Sequence, residues 1–274
     1  MMNLNNWWNI ARQWFTAEIF VNNTLDKDIS YNKKAYQIYP PENKRFQPEY
    51  LQYEKYFDLQ KVEHLLTVKE KQFPDKPWTI LTTGGSFNPL HIMHVKILEI
   101  ATEILSRKMN ILLCVLVPSS DSHVSRKLEE EALSLEHRER ICQQISDKFD
   151  WLTTFRLGHP LVTRSMDILD SICSHRFPNE NFFFMEVCGG DHCEVHKLWR
   201  YPLVCVSRPS YDKLIVEALK SKEDDPEFIF IEDKRISALS STLVRNFIQD
   251  RSDAIYDLLF PETIEYLKQI KYLQ

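Results

Sequence analysis

The sequence predicts an α/β protein in which a doubly wound parallel sheet, spanning residues 78–274, follows a mainly helical and irregular extension of residues 1–77. Strand-like and helix-like segments alternate from Trp78 onward, which is the order that βαβ units produce. The strand-like segments are short apolar runs, as expected for strands covered by helices on both faces. Two of these runs end in glycine pairs, although the chain has only five glycines, so close approach to the main chain or a tight turn is expected there.

The extension is predicted to begin with an amphipathic helix and to end in a short linker. Apolar residues at positions 7, 10, 11, 14 and 15 follow helical spacing. We expect this helix to pack on its own domain, with docking on a membrane surface or a partner as the alternative. Aromatics and prolines at 38–56 predict an extended segment and a short helix, 58–71 predict another helix, and 73–77 form the linker.

The sheet domain is predicted to alternate between buried strands and helices. The predicted strands are residues 78–83, 111–117, 151–157, 182–188, 203–207 and 228–231. The predicted helices are residues 92–105, 127–149, 165–177, 241–251 and 261–271, with a polar loop at 119–125.

Composition narrows the class of protein. The chain of 274 residues is 43% hydrophobic, enough for a proper core, and its net charge of −5 does not suggest nonspecific nucleic-acid binding. Its six cysteines form no C-x-x-C pair and several fall in apolar strands, which is typical of a reduced, intracellular protein. The sequence shows neither an apolar run long enough to span a membrane nor a secretory signal pattern.

The stretch from Gly84 to His94 is the first candidate site. A predicted strand precedes it and a predicted helix follows it, so the glycine turn brings backbone N–H groups and a helix N-terminus to a strand's carboxyl end. Phosphates bind at such positions. His91 and His94 are three residues apart and are expected on one face of the first helical turn, where imidazoles can donate hydrogen bonds to phosphate oxygens.

Two further motifs are predicted at a strand end and a helix start. Gly189-Gly-Asp191 follows the fourth predicted strand, and Leu198-Trp199 comes shortly after it. Ser240-Ser-Thr-x-x-Arg245 opens a helix, with Ser241 as the expected N-cap. Hydroxyls and N–H groups of that first turn can bind phosphate, and the arginine fork suits phosphate oxygens. Together with the two histidines, these groups predict a cradle for a polyphosphate.

These motifs resemble the signatures of the nicotinamide and nicotinate mononucleotide adenylyltransferases, especially their eukaryotic-type members. Gly85-Ser-Phe-Asn-Pro89 with His91-x-x-His94 is similar to the family's nucleotidyltransferase signature, and Ser240-Ser-Thr-x-x-Arg245 to its C-terminal phosphate motif. The resemblance covers roughly residues 78–274 and also includes, in order, Val117-Pro-x-x-Asp121, His137-Arg138, Cys188-Gly-Gly-Asp191 with Leu198-Trp199, Val206-Ser-Arg208 and Phe260-Pro-Glu-x-x-Glu-Tyr266.

The resemblance implies a Rossmann-like nucleotidyltransferase fold and a reaction of NAD biosynthesis. A mononucleotide 5′-phosphate would attack the α-phosphorus of ATP, giving NAD or deamido-NAD and pyrophosphate, with Mg²⁺ bridging phosphate oxygens. It implies catalytic roles for His94, His91 and Arg245. The ATP and phosphate side would comprise Gly84, Gly85, Ser86, Phe87, Ser240, Ser241, Thr242 and Lys127. The mononucleotide side would comprise Gly189, Asp191, Leu198, Trp199 and Arg208, with Trp199 stacked on the pyridine ring.

Two stretches depart from the family pattern. Residues 122–128 lack the family's Tyr-x-Lys, so Lys127 or Arg126 would take the place of its lysine, and the following loop is longer than usual. Residues 155–161 lack the Trp-Glu pair beside the nicotinamide pocket. The second departure leaves the preferred acceptor open, and the sequence does not decide the role of the extension or whether the chain forms a homo-oligomer.

Three alternative functions follow from the same residues. Adenylyl or cytidylyl transfer to another phosphate acceptor would use the same cradle. A non-catalytic nucleotide-binding protein would keep the fold and use residues 1–77 to bind a partner, and the absence of steady turnover would identify it. A zinc hydrolase would need His91, His94, Asp191, His192, Cys193 and His196 as a ligand set, which a zinc measurement would detect.

Overall fold

A computed structural model describes residues 29–31, 47–159, 162–190, 202–207, 228–237 and 239–273. The strands are β1 (Ile29–Tyr31), β2 (Trp78–Gly85), β3 (Asn110–Pro118), β4 (Leu152–Thr154), β5 (Phe182–Gly189), β6 (Leu203–Ser207) and β7 (Phe228–Glu232). The α-helices of the described residues are α1 (Leu59–Val68), α2 (Ile92–Leu105), α3 (Asp121–Leu128), α4 (Leu135–Ser146), α5 (Val162–Arg176), α6 (Ser241–Gln249), α7 (Ile255–Leu258) and α8 (Pro261–Gln269), and 3-10 helices span Pro48–Tyr56 and Glu129–Glu131. The predicted helix at residues 7–15 lies outside this part of the chain.

The strands form one sheet in the order β1-β7-β6-β5-β2-β3-β4. Strands β2 to β7 are parallel, and β1 is antiparallel to β7 at the edge. The predicted α/β class with a parallel, doubly wound sheet is confirmed. The sequence analysis did not predict β1, because three residues are too few to show the alternation that identifies a strand.

Helices cover both faces of the sheet, so alternate residues of a strand enter two different cores. In β2, Ile80 packs in a cluster with α1 and α5, whereas Leu81 packs in a cluster with α2, α4, α6 and α8. Both side chains are fully buried. This burial on both faces explains why the strands are apolar without alternation.

The chain between β3 and β4 differs from the prediction of a polar loop and one long helix. Helix α3 already begins at Asp121, a 3-10 turn follows it, and α4 begins only at Leu135. The break has two local causes: Glu129 has a left-handed backbone (φ 49°), and the Ser134 hydroxyl accepts a hydrogen bond from the His137 N–H, as an N-cap does. Charge alone does not distinguish one helix from two, so the prediction was wrong here.

The third predicted strand, residues 151–157, is reduced to the three residues of β4. Beyond β4, the Phe155 N–H bonds to Leu116 O, and the Arg156 N–H leaves the sheet to bond to Tyr56 O. Gly158 then turns the chain with a positive φ of 61°.

Residues 47–77 lie against the sheet domain. Tyr50, Phe57, Val62 and Leu65 are buried in the same cluster as strands β2 and β3, and the Phe57 ring meets Phe155 edge to face with centroids 6.0 Å apart. None of the helices in the described residues is both long and apolar enough to cross a membrane.

Lysines of this segment also bind main-chain carbonyls of the sheet domain. The Lys61 ammonium donates to Ser146 O (3.2 Å), Phe149 O (3.0 Å) and Leu152 O (2.8 Å), at the end of α4 and the start of β4. The Lys69 ammonium donates to Leu112 O at 2.7 Å. A cation at a helix C-terminus satisfies carbonyls that have no helical partner.

Candidate active site

The candidate site lies where the strand order reverses. The chain runs from β2 outward to β3 and β4, then returns to the other side of β2 for β5, β6 and β7. A crevice forms at the carboxyl ends of strands at such a point. The Ser119 N–H donates to Gly85 O at 2.9 Å, so β2 and β3 stay paired up to this edge.

The two glycines that end β2 are each closely approached by another residue. A β-carbon on Gly84 would lie 2.7 Å from Val162 Cβ, at the start of α5. A β-carbon on Gly85 would lie 3.0 Å from the Phe87 ring. The close approach predicted at this turn therefore serves packing of α5 and of the loop in the described structure.

Phe87 shapes the loop between β2 and α2. It is a non-glycine residue with a positive φ of 45°, a conformation that is unfavourable for a bulky side chain. Its ring is buried and stands edge-on to the His94 ring, with centroids 5.0 Å apart and an interplanar angle of 83°. Phe87 thus acts as a support for His94.

His91 and His94 lie together at the start of α2, as predicted. His91 is the N-cap residue, and His94 belongs to the first turn. The rings stack with centroids 3.6 Å apart. The His91 N–H donates to His94 Nδ1 at 3.1 Å, so Nδ1 carries no proton. In the neutral ring the proton must then be on Nε2, which makes this atom a hydrogen-bond donor.

His91 is the more deeply buried of the two imidazoles. Only 3% of its surface is exposed, and burial lowers its pKa to about 3. Its ring faces the main-chain N–H of His94 in the arrangement of a capping box, and Nδ1 has no other hydrogen-bond partner within the described part of the chain. His91 is therefore a neutral polar group at neutral pH.

The start of α6 brings the serine motif to the same place, with one correction. Ser240, not Ser241, is the N-cap: its hydroxyl accepts a hydrogen bond from the Leu243 N–H at 3.2 Å. The Ser241 hydroxyl instead donates to Pro89 O at 3.3 Å, which ties α6 to the loop before α2. The one-residue shift arises because either serine can cap, and the sequence does not choose between them.

Arg245 reaches the loop from the first turns of α6 and is 6% exposed. Its Nε donates to Glu131 Oε2 (2.8 Å), its Nη1 to Asn88 O (3.1 Å) and its Nη2 to Thr242 Oγ1 (3.3 Å). The guanidinium predicted to bind phosphate is thus oriented by three acceptors. One of these, Glu131, is an anion.

Glu131 and Asn88 were not predicted as part of the site. The three glutamates at 129–131 fall within the helix predicted for residues 127–149, but Glu131 pairs with Arg245 and also accepts from Gln249 Nε2 at 2.8 Å. These two hydrogen bonds hold the pKa of the Glu131 carboxyl below its ordinary value. Asn88 donates to Glu131 O and accepts from the Leu133 N–H. No local pattern links residues 114 positions apart, such as Glu131 and Arg245.

The other predicted site residues either lie away from these contacts or fall outside the described residues. Lys127 is exposed in the last turn of α3. Gly189 ends β5 at the carboxyl edge of the sheet. Asp191, Leu198, Trp199 and Arg208 lie outside the described residues, as do His192, Cys193 and His196 of the alternative zinc site. Among residues that the structure describes, no three or more His, Cys, Asp or Glu side chains gather as a metal site.

Comparisons with known proteins agree with this geometry. A sequence model of the cytidylyltransferase-like family matches residues 82–247. The chain is 29% identical over 126 residues to a nicotinamide/nicotinic acid mononucleotide adenylyltransferase of Arabidopsis thaliana, covering 43% of this chain and 51% of the relative. It is 27% identical over 177 residues to a "Probable nicotinate-nucleotide adenylyltransferase" of Fusobacterium nucleatum, covering 62% of this chain and 87% of the relative. The chain thus spans about half the length of the Arabidopsis protein.

A solved structure shows the same fold. The structure of Plasmodium falciparum nicotinic acid mononucleotide adenylyltransferase complexed with APC superposes with a TM-score of 0.50 at 20% identity, covering 71% of this chain and 96% of that one. The matched family region spans more than half of the chain and contains His91, His94 and Arg245. The resemblance inferred from the motifs is confirmed, and the chain belongs to the cytidylyltransferase-like family.

Proposed function

We propose that this protein is an adenylyltransferase that joins ATP to nicotinamide or nicotinate mononucleotide, giving NAD or deamido-NAD and pyrophosphate. The observation that carries the proposal is the cradle at the strand switch point, where His91, His94 and Arg245 converge from two helix N-termini. The names of the two curated relatives support this choice of substrates. ATP enters as its Mg²⁺ complex, in which the cation is held mainly by phosphate oxygens.

The reaction requires positioning and charge stabilisation more than covalent chemistry. An oxygen of the mononucleotide 5′-phosphate attacks the α-phosphorus of ATP, and the bond between that phosphorus and the bridging oxygen breaks as pyrophosphate leaves. The His94 Nε2–H donates to the oxygen on which negative charge develops. The N-terminal ends of α2 and α6 add oriented N–H dipoles toward the polyphosphate.

Arg245 contributes to this cradle when a phosphate of ATP replaces Glu131 as its anionic partner. Its Nε and Nη groups bind Glu131, Asn88 O and Thr242 in the described structure. A phosphate oxygen of ATP takes the place of the Glu131 carboxylate, because both are anionic acceptors that suit the guanidinium fork. Asp191 and Trp199 belong to the mononucleotide side in this proposal.

The protein is proposed to work in a reduced, intracellular compartment. The five cysteines of the described residues are free and buried. Burial raises the pKa of the Cys114 thiol to about 12, so this thiol stays protonated at neutral pH. Light scattering in solution tests whether the protein forms a homo-oligomer.

One assay tests the proposal. The purified 274-residue chain is incubated with ATP, Mg²⁺ and either mononucleotide, and the products are identified by mass spectrometry. NAD or deamido-NAD with an equal amount of pyrophosphate is the expected result. Pyrophosphate release only with another phosphate acceptor would favour the alternative transferase. ATP binding without turnover would identify a non-catalytic nucleotide-binding protein.

A further inference from the structure

Arg138 is a buried cation outside the group of residues that the proposed reaction uses. It lies in α4, and none of its side-chain surface is exposed. Its Nε donates to Leu133 O (3.0 Å), its Nη1 to Ser86 O (3.0 Å) and Ser119 O (2.7 Å), and its Nη2 to Asp121 Oδ1 (2.9 Å). A single guanidinium therefore binds four separate points of the chain.

Three of the four acceptors are neutral carbonyls. The one carboxylate, Asp121, is 53% exposed, so the buried charge has a partner that is largely in water. Burying a cation is costly unless its donors are fully satisfied, and hydrophobic side chains would fill such a position at lower cost. Main-chain acceptors in separate loops satisfy most of the donors of this buried charge, so the guanidinium holds those loops to one another.

The acceptors belong to the loops that border the phosphate cradle. Ser86 lies in the loop after β2, Ser119 directly after β3, and Leu133 in the segment that leads into α4. The fork of Arg138 fixes the relative position of these three loops at the carboxyl edge of the sheet. A lysine at this position would not reproduce the arrangement, because Arg138 binds these acceptors through separate nitrogens of a planar fork, whereas the donors of a lysine radiate from one nitrogen.

Two short chains of contacts connect Arg138 to the reacting groups. Ser86, whose carbonyl it binds, precedes Phe87, the ring that supports His94. Leu133, whose carbonyl it also binds, donates its N–H to Asn88 Oδ1 at 2.7 Å, and Asn88 O accepts from Arg245 at 3.1 Å. The guanidinium of Arg245 and the imidazole of His94 are thus both in contact with loops that Arg138 binds.

We propose that Arg138 is a positioning residue for ATP, which sets the distance between His94 and Arg245 by holding the loops after β2 and β3 and before α4. This inference rests on the proposed function. It predicts that weakening the hydrogen bonds of Arg138 changes KM for ATP more than KM for the mononucleotide, because the loops that Arg138 binds border the phosphate cradle.

The test compares R138K with R140K, a matched change at an exposed position of the same helix. For R138K we expect KM for ATP to rise and kcat to fall, together by on the order of 10- to 100-fold in kcat/KM, with KM for the mononucleotide nearly unchanged. R140K should match the wild-type protein. Urea unfolding of both variants establishes how much of each sample is folded.

Several results would overturn the proposal. A folded R138K with wild-type kinetic constants would mean that Arg138 serves stability alone, and equal losses toward both substrates would exclude a role specific to ATP. If R138K does not fold, D121A removes only the exposed carboxylate partner of Arg138 and should raise KM for ATP several-fold; no change there would also contradict the proposal.

The failure of the proposed function can be distinguished from the failure of this inference. The dissociation constant for a non-hydrolysable ATP analogue is measured by calorimetry for the wild-type protein, R138K and R140K. If the wild-type protein binds the analogue but makes no dinucleotide, the proposed reaction is wrong. A weaker analogue affinity in R138K alone would still support the positioning role, and equal affinities would refute it.

Discussion

His94 is the residue whose chemistry depends most on its immediate neighbours. The His91 N–H fixes its tautomer and the Phe87 ring fixes its orientation. We expect His94→Ala to lower kcat on the order of 10²- to 10³-fold, the usual cost of one preorganised donor to developing charge. The measurement is steady-state turnover of ATP with the mononucleotide. His64→Ala, an exposed histidine on α1, is the control, and wild-type turnover in folded His94→Ala would exclude His94 from the mechanism.

Arg245 is expected to discriminate between the two substrates. Arg245→Lys keeps the charge but loses the fork that now spans Glu131, Asn88 and Thr242. We expect KM for ATP to rise about tenfold or more, the effect of one lost hydrogen bond to a charged group, with a smaller change for the mononucleotide. Arg107→Lys, at an exposed position after α2, is the matched control. An effect confined to the mononucleotide would place Arg245 on the wrong side of the site.

His91 gives the protein a predicted sensitivity to acid. Its pKa is about 3 in the folded state and 6.5 ordinarily, so the unfolded chain binds more protons between these values. The contribution of neutral His91 to the free energy of unfolding is therefore fully present above pH 6.5 and is lost as the pH falls toward 3. We expect His91→Asn to reduce the loss of unfolding free energy between pH 7.5 and 5 by about 2 kcal/mol. Urea titrations at both pH values measure this, and an identical pH dependence in both proteins would contradict it.

At the scale of elements, α1 depends on one lysine for its attachment to the end of α4. Lys61→Met keeps the aliphatic stem but removes the donor to Ser146 O, Phe149 O and Leu152 O. We expect the free energy of unfolding to fall by about 1 to 3 kcal/mol, because these carbonyls lose a charged partner. Lys234→Met, on an exposed turn after β7, is the control. Equal urea midpoints for the two variants would show that the lysine does not hold α1.

Element order and strand positions could be predicted because a strand that is buried on both faces is a continuous apolar run. Contacts between segments that are distant in the sequence could not be predicted, because they leave no local pattern. The break between α3 and α4 depends on the backbone of Glu129, and the roles of Asn88, Glu131 and Arg138 depend on loops that meet only after the sheet has formed. The histidine pair was predictable because its chemistry lies within one helical turn.

At the scale of the whole molecule, the extension is expected to act as part of the sheet domain. We propose that residues 1–77 are an accessory that packs on the catalytic domain of residues 78–274. Tyr50 and Phe57 are buried against the sheet, and Asn110 at the start of β3 binds Phe73 through both main-chain groups. Deleting 1–77 should therefore expose apolar surface, lower Tm and reduce solubility.

The truncated chain of residues 78–274 gives a direct comparison with the full-length protein. Melting temperature, solubility and turnover are measured for both. Residual turnover at reduced stability is the expected outcome, because His94 and Arg245 remain. A soluble truncated protein of unchanged Tm would contradict packing and would favour a freely presented arm that binds a partner or a membrane.

The ion pair between Glu131 and Arg245 has a consequence for selectivity. A carboxylate tethered beside the guanidinium acts as a built-in competitor at high effective concentration. Any anion that binds Arg245 must first displace Glu131. Its gain in binding free energy is therefore the difference between its own interaction with Arg245 and that of Glu131. Small monovalent anions gain little from that exchange, whereas a triphosphate that also reaches His94 and two helix ends gains several contacts at once. Glu131 thus acts on Arg245 like the counter-ion of an ion exchanger, which is displaced only by an anion that makes more contacts.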